Sequence, residues 1–148
     1  MPLMVETAAA PAGWRRIERH DPFLDVNGPL FIADPFAAND EEPARFGFRV
    51  SARSCNFTGT LHGGLTAALL DMAMGMGMQH AVKVGVAPTV SLTVDYMRAA
   101  IAGDWLESRI RLLRQTRSMV FCDGLLIGPK GPIARGSGVF KLPPSPGS

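Results

Sequence analysis

Between residues 45 and 53 the chain alternates. Phe46, Phe48, Val50 and Ala52 fall on one side, and Arg45, Arg49, Ser51 and Arg53 on the other. A period of two predicts a half-buried strand. The next apolar run, Gly63 to Gln79, has no such period and is rich in Ala, Leu and Met. It predicts a helix that is apolar nearly all round and therefore enclosed by other elements. Gly75 and Gly77 lower the helix propensity of its second half, so that end is expected to fray. From Thr89 to Tyr96 the alternation returns, with Val90, Leu92, Val94 and Tyr96 on one face. Trp105 to Leu112 sets Leu106, Ile110 and Leu112 against Glu107, Arg109 and Arg111, and Val120–Ile127 and Ile133–Phe140 predict two more strands. Turn-forming residues separate them: Ala102-Gly103-Asp104, Gln115 to Ser118, and Gly128-Pro129-Lys130-Gly131-Pro132. Upstream, Phe23, Leu24, Val26 and Leu30 predict a short helix within Arg16–Leu30, stopped by Asn27-Gly28-Pro29.

A strand, one long apolar helix and a meander of four strands is an α+β pattern. A sheet wrapped on one helix buries only one side of it, so the helix's remaining surface asks for a second subunit. A chain of 148 residues predicts a single domain over 1–148 with a real core. The Ala/Pro-rich residues 1–13 and the Pro/Ser/Gly tail 143–148 are expected to be loose. The 47% hydrophobic and 19% charged content is that of a folded protein. A net charge of +2 with no basic block gives no nucleic-acid surface. Residues 1–12 lack a basic segment leading into an apolar core, so no secretory signal is read there. The Gly63–Met78 run is broken by Asp71, Gly75 and Gly77 and is shorter than the ~20 apolar residues of a membrane span. Cys55 and Cys122 make no disulfide framework, and a cytoplasmic location without membrane association is expected.

The chemistry concentrates in Asn56-Phe57-Thr58-Gly59-Thr60-Leu61-His62-Gly63-Gly64, between strand and helix. Paired glycines at a helix start leave backbone N–H groups uncovered, and these donors suit an oxyanion or a polarised carbonyl. The plainer alternative is a Gly-rich turn with a structural His. Asp71 stands alone among Leu, Ala and Met. Burial there would raise its pKa toward that of a working base; the plainer alternative is an Asp that faces solvent or caps a neighbouring element. Eight residues separate Gly63 from Asp71, ~12 Å along a helix. The two cannot easily grip one reacting centre within one chain. If both are catalytic they come from different subunits, with two helices antiparallel and two composite sites in a symmetric dimer.

Asn56-x-x-Gly59-x-x-His62-Gly63-Gly64, with Asp71 nine residues after the His, resembles the hotdog-fold thioesterase superfamily, in its phenylacetate-pathway (PaaI-like) branch. The resemblance covers roughly residues 44–141 and includes Thr89-Val-Ser-Leu-Thr-Val-Asp-Tyr96-Met97-Arg98-Ala99-Ala100. It implies a long helix wrapped by a curved antiparallel sheet of five to six strands, and edge-to-edge dimers that often pair into tetramers. The implied activity is hydrolysis of an acyl-CoA thioester, with coenzyme A as part of the substrate and no cofactor. Asp71 matches the general base or nucleophile, the resemblance leaving both open. Gly63 matches the amide that polarises the thioester carbonyl. His62 and Asn56 match residues that position the thioester and shape the loop, and Thr89 falls where related enzymes can place a water-holding Ser. A non-catalytic acyl-CoA binding or sensing module is the alternative from another class.

Four further groups read mainly as structure. Arg98, Arg109, Arg111, Arg114 and Arg117 form a loose basic set of solvated strand residues. One or two of them, or Arg135 and Lys141, could instead hold the coenzyme A phosphates. Met72, Met74, Met76 and Met78 recur every second residue, so they cannot share one helical stripe and read as adaptable core filler. His20 and His80 lack metal-ligand spacing. Cys55 and Cys122 read as buried, unactivated thiols.

Overall fold

The computed structural model describes residues 9–34 and 43–144. Their elements run β1 (Trp14–Arg16), α1 (Pro22–Asn27), β2 (Phe31–Ala33), β3 (Phe46–Arg49), α2 (Gly63–Val82), β4 (Thr89–Tyr96), β5 (Trp105–Gln115), β6 (Met119–Gly128) and β7 (Gly131–Lys141). Among the described residues the strands form one antiparallel sheet of seven, ordered β1-β2-β3-β5-β6-β7-β4. The sheet is curved and packs on α2, which is the hotdog arrangement. Leu69, Leu70, Met74 and Met78 of α2 meet Phe46, Leu106, Ile110, Val120 and Phe140 of the sheet in one buried cluster. No helix among the described residues is long and apolar enough to cross a membrane.

Four expectations need correction. The sheet has seven strands rather than five or six, because β1 and β2 add three residues each. Strands that short carry no period to read. The helix expected within 16–30 contracts to the six residues of α1. Asp21 sets its start, its carboxylate accepting the N–H groups of Phe23 and Leu24, and Asn27-Gly28 stops it as expected. Ala52 is not on the buried face of β3. The strand ends at Arg49 and residues 52–54 form a 3-10 turn, where Ala52 is exposed.

The fourth correction concerns α2, which does not end at Gln79 or fray at its glycines. It continues to Val82, and Gly75 and Gly77 are buried. A Cβ at Gly75 would lie 3.3 Å from the Phe140 ring, and one at Gly77 3.5 Å from Ile110. At Gly75 the close approach of the Phe140 ring offsets the ~1 kcal/mol propensity cost of glycine, whereas Gly77 sits at ordinary contact distances. The sheet reciprocates: a Cβ at Gly124, Gly136 or Gly138 would come within 3.1 to 3.3 Å of Met74. These three glycines form a trough for that side chain, which is fully buried with Met78. Met72 and Met76 lie on another side of the helix and are only partly buried. The expected looseness of residues 1–8 and 145–148 lies outside the described residues.

Candidate active site

Two side chains of β4 tie α2 to the end of the sheet. The Tyr96 hydroxyl donates to the Gly63 carbonyl at 2.7 Å. The Thr89 hydroxyl donates to the Asp71 carboxylate at 2.6 Å. The second contact depends on a bulge. Thr89 pairs with Phe140, and Leu92 with Gly138. Phe140 and Gly138 both face the helix, and partners across an antiparallel ladder share a face. Regular alternation would put Thr89 and Leu92 on opposite faces. The irregularity between Thr89 and Ser91 accommodates one extra residue. Thr89 therefore turns toward α2 while staying exposed, and Val90, expected on the buried face, is 52% exposed.

The loop before α2 is closed by its own polar groups. The Asn56 amide oxygen accepts the Thr58 N–H at 3.0 Å and the Thr58 hydroxyl at 2.6 Å, with Thr60 donors at 3.3 Å. Gly59 sits at φ +82, a left-handed conformation that glycine adopts without strain. His62 caps the helix: its Nδ1 accepts the Gly64 N–H at 2.9 Å. That bond requires an unprotonated Nδ1, so the neutral ring carries its proton on Nε2. Gly63 is the first residue of α2, and its N–H has no acceptor within the helix. Without a side chain, nothing of its own covers that donor.

Asn56, His62 and Gly63 thus gather at the helix entry, and Asp71 and Thr89 gather ~12 Å further along its axis. One chain does not bring the two groups together. Asp71 is half-buried rather than enclosed. It opens on a cleft of about 160 Å³ walled by Leu24, Met72, Met76 and Phe140, with Arg19 and Gln79 also lining it. The parts that sequence reading missed are Tyr96 as the clasp on Gly63 and the 19–24 segment as a cleft wall. Tyr96 is the protein's sole tyrosine, the one visible hint of a special role.

The basic set divides by partner. Arg111 pairs with Asp123 at 2.6 Å and Arg135 with Asp95 at 2.8 Å, across the sheet face turned away from α2. They border a cavity of about 620 Å³ that is lined by none of Asn56, His62, Gly63, Asp71 and Thr89. Cys122 is buried, and its thiol is pushed up to about 12, first by desolvation and then by the nearby Asp123 charge. It stays a thiol and is no nucleophile. Cys55 is half-buried and donates to the Ser51 carbonyl at 3.4 Å.

Comparison with known proteins agrees with the fold. A family profile described as the thioesterase superfamily matches residues 58–132. The esterase candidate PA0474 of Pseudomonas aeruginosa is 32% identical over 134 residues, covering 90% of this chain and 97% of that protein. Mouse acyl-coenzyme A thioesterase 13 is 30% identical over 73 residues, 49% of this chain and 52% of the mouse protein. Among solved structures, zebra fish thioesterase superfamily member 2 superposes with a TM-score of 0.68 at 26% identity, over 77% of this chain and 81% of that one. A single-site mutant of the phenylacetic acid degradation protein PaaI from Thermus thermophilus gives 0.66 at 28% identity, over 82% of this chain and 100% of that one.

Proposed function

The chain belongs to the thioesterase superfamily, and from that premise we propose that it hydrolyses an acyl-CoA thioester to a free carboxylic acid and coenzyme A. The observation that carries this reading is the position of β4. Among the described residues it is one of the two edge strands of the sheet and the longer of them, it carries neither Pro nor Lys, and one end holds Asp71 while the other holds Gly63. An unblunted edge is a template for pairing. Antiparallel pairing of β4 with a second copy, about a two-fold axis, sets the Thr89 end of one strand beside the Tyr96 end of the other. Asp71 of one protomer then faces the helix entry of its partner.

In that composite site the Gly63 N–H donates to the thioester carbonyl oxygen and stabilises the negative charge that develops on it. Asp71 either takes a proton from the attacking water or attacks the carbonyl carbon itself. Collapse of the tetrahedral intermediate breaks the C–S bond and releases coenzyme A thiolate, which takes up a proton; on the nucleophilic route water then opens the Asp71 anhydride, which frees the acid and restores the carboxylate. Thr89 fixes one Asp71 oxygen and leaves the other for the reaction. Met72, Met76, Leu24 and Phe140 suit an apolar acyl group. His62 and Asn56 act through the loop, by holding the Gly63 amide in place.

Release of free thiol from a panel of aromatic and aliphatic acyl-CoAs tests the reading. Catalytic turnover on at least one is expected; tight binding without release on all would make the protein a binding module instead. Thr89→Val removes a hydrogen bond to a charged group, so kcat is expected to fall about tenfold to a hundredfold. Thr89→Ser keeps the hydroxyl and retains most of the rate.

A further inference from the structure

Residues 62–64 carry three backbone N–H groups, and two of them are bonded. The His62 N–H donates to the Ser54 carbonyl at 2.9 Å, and the Gly64 N–H donates to His62 Nδ1 at 2.9 Å. The Gly63 N–H makes no bond among the described residues. The other half of its peptide unit is the His62 carbonyl, and that oxygen is bonded twice. It accepts the Thr66 N–H at 2.9 Å and the Thr66 hydroxyl at 3.1 Å. We propose that Thr66 is a positioning residue for the reaction: its hydroxyl orients and polarises the His62–Gly63 peptide, so that the Gly63 N–H binds a developing oxyanion more strongly. The proposal rests on the reading of Gly63 as the oxyanion donor.

A peptide unit is planar, so a donor seated on its carbonyl fixes the direction of the N–H on the opposite edge. The same donor draws electron density toward the oxygen and away from the amide proton. Hydrogen bonds linked in this way polarise and strengthen one another. The gain grows with the charge on the acceptor, and the oxyanion of the tetrahedral intermediate carries more than the thioester carbonyl does. Thr66 therefore acts on kcat rather than on KM.

A Thr hydroxyl that bonds the carbonyl four residues back is common within helices. Three observations set Thr66 apart. The carbonyl it meets belongs to His62, the N-cap of α2, and already has its helical partner in the Thr66 N–H. The hydroxyl is thus an addition to an oxygen that does not need it. Thr66 is also 4% exposed, one of three buried polar side chains among the described residues, with Ser54 and Ser108. The Ser54 and Ser108 hydroxyls accept the backbone N–H groups of Ser51 and Phe46. Thr66 instead donates to a backbone carbonyl. Finally, the next peptide is held as well, since the Gly63 carbonyl accepts the Tyr96 hydroxyl at 2.7 Å. The peptide units before and after the Gly63 Cα each carry a side-chain hydroxyl on their oxygen, and the unbonded amide lies between the two.

Thr66→Val tests the assignment. It removes the hydroxyl but keeps the β-branch and the main-chain bond to His62, so the helix entry stays folded. We expect kcat to fall about threefold to tenfold, the worth of one neutral hydrogen bond, with KM unchanged. Thr66→Ser should restore the hydroxyl and most of the rate. The decisive comparison repeats Thr66→Val on Gly63→Pro, which has no amide proton to polarise. There Thr66→Val should leave the residual rate as it is. An equal fall in both backgrounds signals a structural role and overturns the proposal. So does a native kcat in Thr66→Val, or a change confined to KM. Native turnover in Gly63→Pro would sink the oxyanion reading itself and take the role of Thr66 with it.

Discussion

Asp71→Asn is expected to lower kcat by about a hundredfold to ten-thousandfold, the usual worth of a positioned acid or base. The change is nearly isosteric. An amide oxygen at position 71 still accepts the Thr89 hydroxyl bond, now 2.6 Å long. What is lost is the capacity to take a proton from water or to attack a carbonyl carbon. Position 71 is half-buried on a helix face that opens on a cleft, so stability should move by no more than about 0.5 kcal/mol. Asp71→Ala should behave alike in rate. Steady-state thiol release with thermal unfolding of the same samples checks both. Near-native turnover in both variants refutes the assignment of Asp71. A single turnover in ¹⁸O-labelled water separates the two roles. A general base puts the label directly into the product acid, whereas attack by Asp71 leaves the first product unlabelled when water then opens the anhydride at the Asp71 carbonyl.

The same residues show which parts of the molecule announce themselves in sequence. The strands β4 to β7 and helix α2 do so because period two and a long apolar run are local signals. The strands β1 and β2, three residues each, carry no such signal. Ala52 continues an alternating pattern that the backbone abandons three residues earlier, at Arg49. The glycines of α2 mislead for the opposite reason, since local propensity disfavours them while both are buried against the sheet, Gly75 tightly under Phe140. Asp71 and the Gly63–Gly64 pair stand out because they are chemically out of place in an apolar helix. Tyr96 and the Arg19–Leu24 wall do not, because their meaning lies in contacts with distant segments. Thr89 is the most instructive case. Its face is decided by a bulge, and Thr89-Val90-Ser91-Leu92 reads as unbroken alternation.

Mixed dimers carry the second large expectation. Gly63→Pro removes the amide proton and little else. Proline is well accepted at the first position of a helix. The preceding residue, His62, already has φ −59 and ψ 131, the extended conformation that proline demands of its neighbour. A Cβ at Gly63 would meet the Tyr96 ring at 3.6 Å, an ordinary contact. Loss of one oxyanion donor should lower kcat about a hundredfold to a thousandfold, so Gly63→Pro and Asp71→Asn are each nearly inactive alone. In a dimer with one subunit of each kind, one composite site has both defects and the other has neither. The purified mixed dimer should therefore recover about half of the native rate per dimer. Two tags and sequential affinity steps isolate it. If each site drew Asp71 and Gly63 from the same chain, every site in the mixed dimer would carry a defect. A mixed dimer as inactive as its parents would thus end the two-subunit mechanism, even if both residues proved essential.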